Sequence, residues 1–392
     1  MPAKKKTTKA KGGGALQNAL AGLSKVIKNS DDMVAQLDHS TLREPSPHIP
    51  TGSLVVDYLI GGIPNRYGVR PCPGIPRGKI MNLYGQAGAG KTTLALTTAA
   101  STCALGGTVA YIDWENEVDP RYAEILGVPV TDQAKFMLFQ PSTLEEGFKI
   151  MWACAQSGVD LIVVDSVGAG VPEDWFTSDD KGEQGRVGMV AAKWSKFLPQ
   201  IKVVANKSNT AILGISQLRS KISTGMGRGP TEQAQGGKAW QFYSCTRMML
   251  RVFGKEKEKV FNHLTGKTDE QISGTKVIAK LDKCKVSGAF GHQQMFYLKS
   301  GYGIDDIRTI IEIGIAYNVI RKGGAWYTWT ANDGTEIKGQ GMGGFRKLLE
   351  EREGALNEIF AQIEPHLSAS NQEVAEDEPA EDAASILEGL EI

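Results

Sequence analysis

The most specific chemical feature of the sequence is a glycine-rich segment that ends in lysine and threonine. Residues 85–92 have the order Gly-Gln-Ala-Gly-Ala-Gly-Lys-Thr, which matches the phosphate-binding pattern G-x-x-x-x-G-K-[ST] in full. A predicted strand, Lys79–Tyr84, precedes it and a predicted helix, Lys91–Ala104, follows it, as the pattern requires. In that setting the loop amides cradle phosphates, Lys91 neutralises the β- and γ-phosphates, and the Thr92 hydroxyl binds Mg²⁺. The sequence therefore predicts an ATP and Mg²⁺ site, and a purely structural glycine turn is the less favoured alternative.

Carboxylates at the ends of two apolar runs are the candidates for metal binding and for activating water. Asp165 ends one run and is placed to hold the water shell of the metal opposite the loop. Glu115 follows Thr108–Asp113 and is the first candidate for the residue that orients the attacking water. Asp113 and Glu117 are rivals on position alone, and a purely structural carboxylate is a further alternative.

A polar residue at another strand end leads into a basic, glycine-rich segment. Gln217 follows Ala211–Ser216, and its amide is placed to sense the γ-phosphate and to connect the nucleotide with a second ligand. Leu218–Lys238 carries four basic residues, five glycines and one acid, and Lys181–Gly188 opens on the same predicted edge. Loops of this kind follow a phosphate backbone, and because they lack aromatic residues they predict little sequence preference and a steep salt dependence. Ordinary surface loops are the alternative.

The elements that position these residues follow from the spacing of apolar side chains. Short apolar runs alternate with longer windows of helical spacing, which is typical of a mostly parallel sheet flanked by helices, with ligands at the carboxyl ends of the strands. The predicted strands are Lys79–Tyr84, Thr108–Asp113, Phe136–Phe139, Leu161–Asp165 and Ala211–Ser216, and the predicted helices are Lys91–Ala104, Leu144–Ser157 and Val187–Val204. Antiparallel additions are predicted at Thr246–Val252, Thr275–Asp282 and Gln293–Leu298. A small α+β module is predicted from the helix Asp305–Tyr317, the strand Ala325–Thr330 and the helical stretch Met342–Phe360.

Composition and the two ends of the chain restrict the class of protein. With 41% hydrophobic and 22% charged residues, a disordered or fibrous chain is excluded, and no apolar stretch reaches the ~18–20 residues of a membrane span. Five scattered cysteines fit neither a zinc site nor a disulfide framework, which favours a reducing cytosol.

The N-terminal arm has five lysines, whereas Asn371–Ile392 has eight acids. Such tails either compete for one polyanion site or only aid solubility. Between them, Ala15–Leu37 predicts an amphipathic helix that packs on its own domain or on another subunit.

Taken in order, the motifs resemble those of the bacterial RecA and phage UvsX recombinase family, over roughly Thr51 to Phe345. They are residues 51–57, 85–93, 111–122, 163–167, 236–237, 283–285 and 324–327. The resemblance implies an α/β fold with a RecA-type P-loop NTPase core and a mostly parallel central sheet flanked by helices. The implied division is a disordered basic arm at 1–14, a docking helix and linker at 15–50, the core at 51–299, a small C-terminal α+β domain at 300–367 and an acidic disordered tail at 368–392.

The resemblance also assigns roles to individual residues. The implied catalytic residues are Glu115, Lys91, Gln217, Lys283 and Lys285, of which the last two reach the γ-phosphate of a neighbouring subunit. Nucleotide binding is implied for Gly85, Gln86, Ala87, Gly88, Ala89, Gly90, Lys91, Thr92, Thr93, Asp119, Tyr122 and Asp165, with Asp119 and Tyr122 against the adenine and with Thr92 and Asp165 as metal ligands. DNA binding is implied for Arg186, Arg219, Lys221, Ile222, Arg228, Gly236, Gly237 and Lys238. Ile222 matches a wedge between base triplets, and Phe242 matches an interface aromatic.

The function that the resemblance implies is that of a DNA-dependent ATPase in recombination and repair. Members of the family form helical filaments on single-stranded DNA and exchange it with a homologous duplex. The implied partners are these two DNAs, further copies of the chain, and single-strand-binding and loader proteins, with no membrane. The implied location is the cytoplasm, at the nucleoid or in a phage-infected host. The alternatives are an ATP-gated protein that coats single-stranded DNA without strand exchange, and a hexameric helicase of the same fold.

The sequence departs from the family pattern at three places. Arg66–Pro76 is an insertion before the first core strand, and Leu218–Lys238 is slightly longer than usual. Lys196 and Gln200 stand where bacterial members contact DNA through serine and arginine. These differences favour a phage-encoded or otherwise divergent member.

Overall fold

The computed structural model describes residues 43–176, 183–221, 231–262 and 266–377. Elements from Pro45 onward belong to one compact unit. The predicted basic arm and N-terminal helix lie outside the described residues. None of the five cysteines, all of which are described, is in a disulfide. Among the described helices, none is both long enough and apolar enough to cross a bilayer.

Strands and helices alternate through the first two thirds of the described chain. The strands are β1 (His48–Ile49), β2 (Ile75–Pro76), β3 (Ile80–Gly85), β4 (Val109–Asp113), β5 (Phe136–Phe139), β6 (Leu161–Asp165), β7 (Ala211–Lys221), β8 (Thr231–Ala234), β9 (Thr246–Asn262), β10 (Lys267–Cys284), β11 (Gln293–Lys299), β12 (Gly303–Ile304), β13 (Ile320–Gly323), β14 (Trp326–Thr330) and β15 (Glu336–Gln340). The helices are α1 (Leu54–Gly61), α2 (Lys91–Ala104), α3 (Pro120–Ile125), α4 (Leu144–Gln156), α5 (Glu173–Phe176), α6 (Glu183–Ser208), α7 (Gly237–Tyr243), α8 (Asp306–Ala316), α9 (Gly341–Glu351) and α10 (Ala355–Asp377).

A ten-stranded sheet forms the centre of the molecule. Its order is β12-β11-β10-β9-β3-β7-β6-β4-β5, with β8 paired to β7. The six strands β9, β3, β7, β6, β4 and β5 run parallel to one another. β10 pairs antiparallel with β9, and β11 and β12 continue the sheet with antiparallel pairs. The predicted mixed α/β fold with a mostly parallel sheet is confirmed. The antiparallel prediction for β9 is wrong, because the short helix α7 returns the chain to run parallel to β3.

Each face of this sheet is covered by helices, which explains why β3, β4 and β6 are buried along their whole length. α2 packs on one face, and α4, α6 and α7 pack on the other. Trp194 of α6 is fully buried at the centre of the second face, edge-on to Trp114 and Trp240. The loops at the carboxyl ends of the parallel strands are therefore anchored to a rigid support.

A third hydrophobic core holds the C-terminal module together. It joins α8, α9, α10 and the antiparallel sheet β13-β14-β15. α1 contributes Val55 and Tyr58 to it, although it belongs to the predicted core domain. The single helical stretch predicted at Met342–Phe360 is interrupted because Gly354 takes a positive φ of 76°. α10 then continues to Asp377, so the disorder predicted from residue 368 is wrong at its start.

Candidate nucleotide site

The predicted phosphate loop joins the end of β3 to the start of α2. A β-carbon at Gly85 would lie 2.1 Å from the carbonyl oxygen of Leu250 in β9, so only glycine fits there. Gly90 caps α2 in the left-handed conformation, with φ of 83°, which glycine adopts without steric cost. These two glycines set the path of the loop. The free amides of the first turn of α2 then face the loop, as in an anion site.

Lys91 is buried and folds back on the loop. Its Nζ donates hydrogen bonds to the carbonyl oxygens of Gly85, at 3.1 Å, and of Gln86, at 2.7 Å. Burial lowers the pKa of Lys91, and the carboxylates of Asp165 and Glu115 act in the opposite direction. The ammonium group therefore lies inside the loop, where phosphate oxygens would be bound.

Thr92 and Asp165 present adjacent oxygen atoms at the predicted metal position. The Thr92 hydroxyl donates to Asp165 Oδ2 at 2.9 Å, and the Tyr111 hydroxyl donates to the same atom at 2.7 Å. Burial raises the pKa of Asp165 to about 6, although both hydrogen bonds lower it. A hydroxyl and a carboxylate fit Mg²⁺, which takes oxygen ligands and keeps waters and phosphate oxygens in its shell.

Glu115 lies between side chains from two neighbouring strands. Gln217 Nε2, on β7, donates to Glu115 Oε1 at 3.0 Å and to Oε2 at 3.3 Å. The hydroxyl of Ser166, just after β6, donates to the same Oε1. The rival Asp113 is buried and accepts hydrogen bonds from the amides of Glu115 and Val118. Asp113 therefore holds the turn after β4, while the carboxylate of Glu115 is bonded to the predicted γ-phosphate sensor.

These groups line a cavity of about 380 Å³. The predicted residues that line it are Ala87, Gly88, Gly90, Lys91, Thr92, Thr93, Glu115, Tyr122, Asp165 and Gln217. The second rival carboxylate, Glu117, lines it as well. Tyr122 shares a hydrogen bond with Thr93, with 3.1 Å between their hydroxyl oxygens. Asp119 is instead the exposed cap of α3 and accepts a hydrogen bond from the Arg121 amide at 2.9 Å. Of the pair expected against the adenine, only Tyr122 lies at the cavity.

Part of the cavity wall comes from residues that the sequence did not assign to the site. Thr275 of β10 and the segment 298–301 at the end of β11 line it. A β-carbon at Gly90 would lie 2.3 Å from Leu298 Cδ1, so β11 packs directly on the loop. Tyr111 lies within a recognised motif, but its residue type alone does not predict a bond to Asp165.

Lys283 and Lys285 lie at the end of the sheet opposite the phosphate loop. Lys283 is near the end of β10, beside the start of β9, and β9 begins alongside Met81 at the start of β3. The loop begins at the far end of β3, roughly 13 Å away at the usual strand rise. Lys283 Nζ donates instead to the carbonyl oxygens of Gln241, at 2.7 Å, and Phe242, at 3.1 Å. In a single chain the two lysines therefore lie outside the cavity.

The first segment predicted to be a DNA-binding loop, residues 181–188, is helical from Glu183 onward. The buried residues on the inner face of α6 include Val190, Trp194, Leu198 and Ile201. The loop prediction is wrong because burial of this long apolar face outweighs the cost of about 1 kcal/mol for each glycine within a helix. Arg186 lies in the first turns of α6, and Lys196 and Gln200 are exposed further along it.

The second such segment, Leu218–Lys238, begins and ends in regular structure. β7 continues to Lys221 and pairs antiparallel with β8, so the loop prediction is wrong at both ends because the two backbones pair. Arg219 and Lys221 lie in β7, Lys238 is exposed in α7, and Ile222 and Arg228 lie outside the described residues. A β-carbon at Gly236 would lie 2.6 Å from Val167 Cγ2, and one at Gly237 would lie 2.8 Å from Ala191 Cβ. These two glycines therefore allow α7 to pack closely.

Comparison with known proteins agrees with the motifs. The family described as the RecA N-terminal domain matches residues 14–304. Protein RecA of Thermus thermophilus is 35% identical over 352 residues, which cover 89% of this chain and 93% of that protein. Protein RecA of Nocardia farcinica is 35% identical over 347 residues, covering 88% and 89%. A structure titled as that of the RadB recombinase aligns with a TM-score of 0.44 and 22% identity, covering 65% of this chain and 98% of that chain.

The family match includes the phosphate loop, the parallel strands and the residues that converge on Glu115. The two RecA proteins also align over most of their own length. This chain therefore belongs to the RecA family of recombinases.

Proposed function

We propose that this chain is a DNA-dependent ATPase that polymerises on single-stranded DNA and exchanges that strand with a homologous duplex. The observation that carries the proposal is the hydrogen bond between Gln217 and Glu115 inside the phosphate-loop cavity. Beyond Gln217 the same strand continues into its pairing with β8, within the segment expected to bind DNA. One strand thus joins a side chain at the nucleotide site to the proposed DNA-binding segment, an arrangement suited to coupling the two ligands.

ATP hydrolysis is proposed to depend on groups of this chain that bind the phosphates and orient water. The loop amides and Lys91 hold the β- and γ-phosphates, and Tyr122 lies against the adenine. Thr92 and Asp165 would hold Mg²⁺, which would supply positive charge that stabilises the phosphates during transfer. Glu115 accepts a hydrogen bond from the attacking water and positions it. Gln217 Nε2 keeps one hydrogen on Glu115 Oε1 and donates the other to a γ-phosphate oxygen when one is available, which moves β7.

Lys283 and Lys285 are proposed to complete the site of the adjacent subunit. They lie at the opposite end of the sheet from the cavity of their own chain, so they act on ATP only when a second copy is docked there. Phe242, which is 72% exposed beside the Lys283 contact, is proposed to pack on that copy. Two cations supplied by a neighbour stabilise transition-state charge, so hydrolysis requires a filament. The segment 15–50 is proposed to dock on the neighbouring core.

Binding to single-stranded DNA is proposed for the start of α6 and for the β7–β8 segment. The proposed contacts are Arg186, Arg219, Lys221, Ile222, Arg228, Gly236, Gly237 and Lys238. Because these contacts are mainly to phosphates, affinity falls steeply with salt and depends little on base sequence. Single-strand-binding and loader proteins are proposed as further partners in the cytoplasm.

The test of this function combines strand exchange with a change at Glu115. We expect Glu115→Gln to keep ATP-dependent binding to single-stranded DNA and to lose turnover by ~10²-fold or more. The control Glu117→Gln changes a carboxylate that lines the same cavity and should keep turnover. For the unmodified chain with ATP and single-stranded DNA, filaments that do not exchange strands would indicate a coating protein. Closed rings in electron micrographs would indicate a helicase. Either result would overturn the proposal.

A further inference from the structure

We propose that Ser166 is a second positioning residue for Glu115, acting beside Gln217. The inference rests on the proposed function, because it takes Glu115 as the residue that orients the attacking water. Ser166 directly follows β6 and is 1% exposed, and its hydroxyl donates to Glu115 Oε1. Gln217 Nε2 donates to the same oxygen at 3.0 Å and to Oε2 at 3.3 Å. Donors from β7 and from the residue just after β6 thus converge on Oε1. They fix the plane of the carboxylate, and Oε2 is left with only the longer hydrogen bond from Gln217.

The backbone next to Ser166 is held by two other elements. The amide of Val167 donates to the carbonyl oxygen of Ile215 in β7 at 2.9 Å. The carbonyl oxygen of Val167 accepts a hydrogen bond from Trp194 Nε1 in α6 at 2.8 Å. Trp194 is itself fully buried. The turn after β6, and with it the hydroxyl of Ser166, is therefore locked to α6, the helix whose start is proposed to bind DNA.

The same turn is in direct contact with the end of the second proposed DNA-binding segment. A β-carbon at Gly168 would lie 2.3 Å from Gln235 Oε1, and one at Gly236 would lie 2.6 Å from Val167 Cγ2. The amide of Gln235 also donates to the carbonyl oxygen of Gln217 at 2.9 Å. A displacement of residues 235–236 by DNA thus reaches Glu115 by two routes. One runs through Gln217, and the other runs through the turn at 166–168 and Ser166.

Substitution of Ser166 tests this second route. In Ser166→Ala we expect kcat for DNA-stimulated ATP hydrolysis to fall about tenfold, because a positioning residue acts on turnover rather than on nucleotide binding. The dissociation constant for MgATP should not change, which also shows that the variant is folded. Ser166→Cys keeps a weak donor of similar size, so its kcat should lie between those of the wild type and Ser166→Ala. In the control Ser208→Ala, the lost hydroxyl bonds to the Val204 carbonyl near the far end of α6, and kcat should not change.

A double substitution separates positioning from a general structural role. If Ser166 acts through Glu115, then Ser166→Ala causes no further loss of single-turnover rate in a Glu115→Gln chain, because residues that act as a unit are not additive. An equal loss in both backgrounds would overturn the inference. Wild-type kcat in Ser166→Ala would also overturn it, and the proposed function would stand if Glu115→Gln were inactive. Full turnover by Glu115→Gln would instead remove the proposed role of Glu115 in orienting water, and this inference with it.

Discussion

Two inactive variants should restore ATP hydrolysis when they are mixed, because each site is completed by a neighbouring subunit. One variant carries Lys283→Ala and Lys285→Ala, and the other carries Glu115→Gln. In one chain the lysines and the cavity lie at opposite ends of β3, roughly 13 Å apart along the strand. The lysine variant keeps an intact cavity, and the Glu115→Gln variant keeps intact lysines. Each therefore supplies what the other lacks.

The size of the rescue follows from the arrangement of subunits in a filament. A working interface needs the lysine variant on the cavity side and the Glu115→Gln variant on the lysine side. In a random equal mixture each position is filled correctly about half of the time, so about a quarter of the interfaces work. We expect about a quarter of the wild-type rate for the mixture, whereas each variant alone should lose at least ~10²-fold.

The assay is steady-state phosphate release with saturating single-stranded DNA, measured across mixing ratios. The rate should be greatest at equal amounts of the two variants. As a control, Glu115→Gln mixed with a chain that carries all three substitutions should remain inactive, because no subunit then has Glu115. If both variants form filaments and their mixture is no more active than its parts, completion of the site by a neighbour is refuted.

Three other substitutions test the loop, the insertion and a buried carboxyl group. Lys91→Ala should weaken MgATP binding in a fluorescence titration and abolish nucleotide-dependent filaments; normal filaments would show that the loop lysine is dispensable. Arg70, in the insertion, donates through Nε to Glu364 of α10 at 2.5 Å. Arg70→Met should therefore lower the free energy of unfolding by about 2 kcal/mol in urea titrations. The exposed control Lys347→Ala should have a much smaller effect, and equal effects would mean that the insertion does not brace α10. Burial raises the pKa of Asp57 from its ordinary value of 3.8 to about 7. The folded chain then binds this proton more tightly than the unfolded chain, so the free energy of unfolding falls as pH rises across that interval. In melting curves measured across this pH range, Asp57→Asn should reduce the change of unfolding free energy with pH. An unchanged pH dependence would refute Asp57 as the group that binds the proton.

The sequence predicted the residues of the site that follow directly after strands of the parallel sheet. The motifs place Glu115, Asp165 and Gln217 after three apolar runs, and the carboxyl ends of neighbouring parallel strands meet at one edge. The structure places all three at one cavity with the phosphate loop. The residues alone leave Asp113 as a rival to Glu115, and the structure shows that Asp113 accepts hydrogen bonds from the backbone amides of Glu115 and Val118 in the turn after β4.

The features that the sequence did not predict depend on contacts between distant segments. Leu298 forms a wall of the cavity because β10 and β11 fold back over the loop; the pattern predicts both strands as antiparallel additions, but not their contact with the loop. Glycines at 236 and 237 indicate a loop by composition, but here they let α7 pack against α6 and turn β9 parallel to β3. Ser166 follows a recognised motif, yet its bond to Glu115 depends on the turn held by Trp194.

ATP hydrolysis per chain, measured across protein concentrations with and without single-stranded DNA, tests most directly whether the site requires a neighbour. With single-stranded DNA the rate per chain should rise with concentration and then level off as filaments form. Without it, dilute protein should show almost no turnover, because the lysines of a lone chain are remote from its own cavity. Full turnover by a dilute monomer in the absence of any polynucleotide would contradict a site completed by the adjacent subunit.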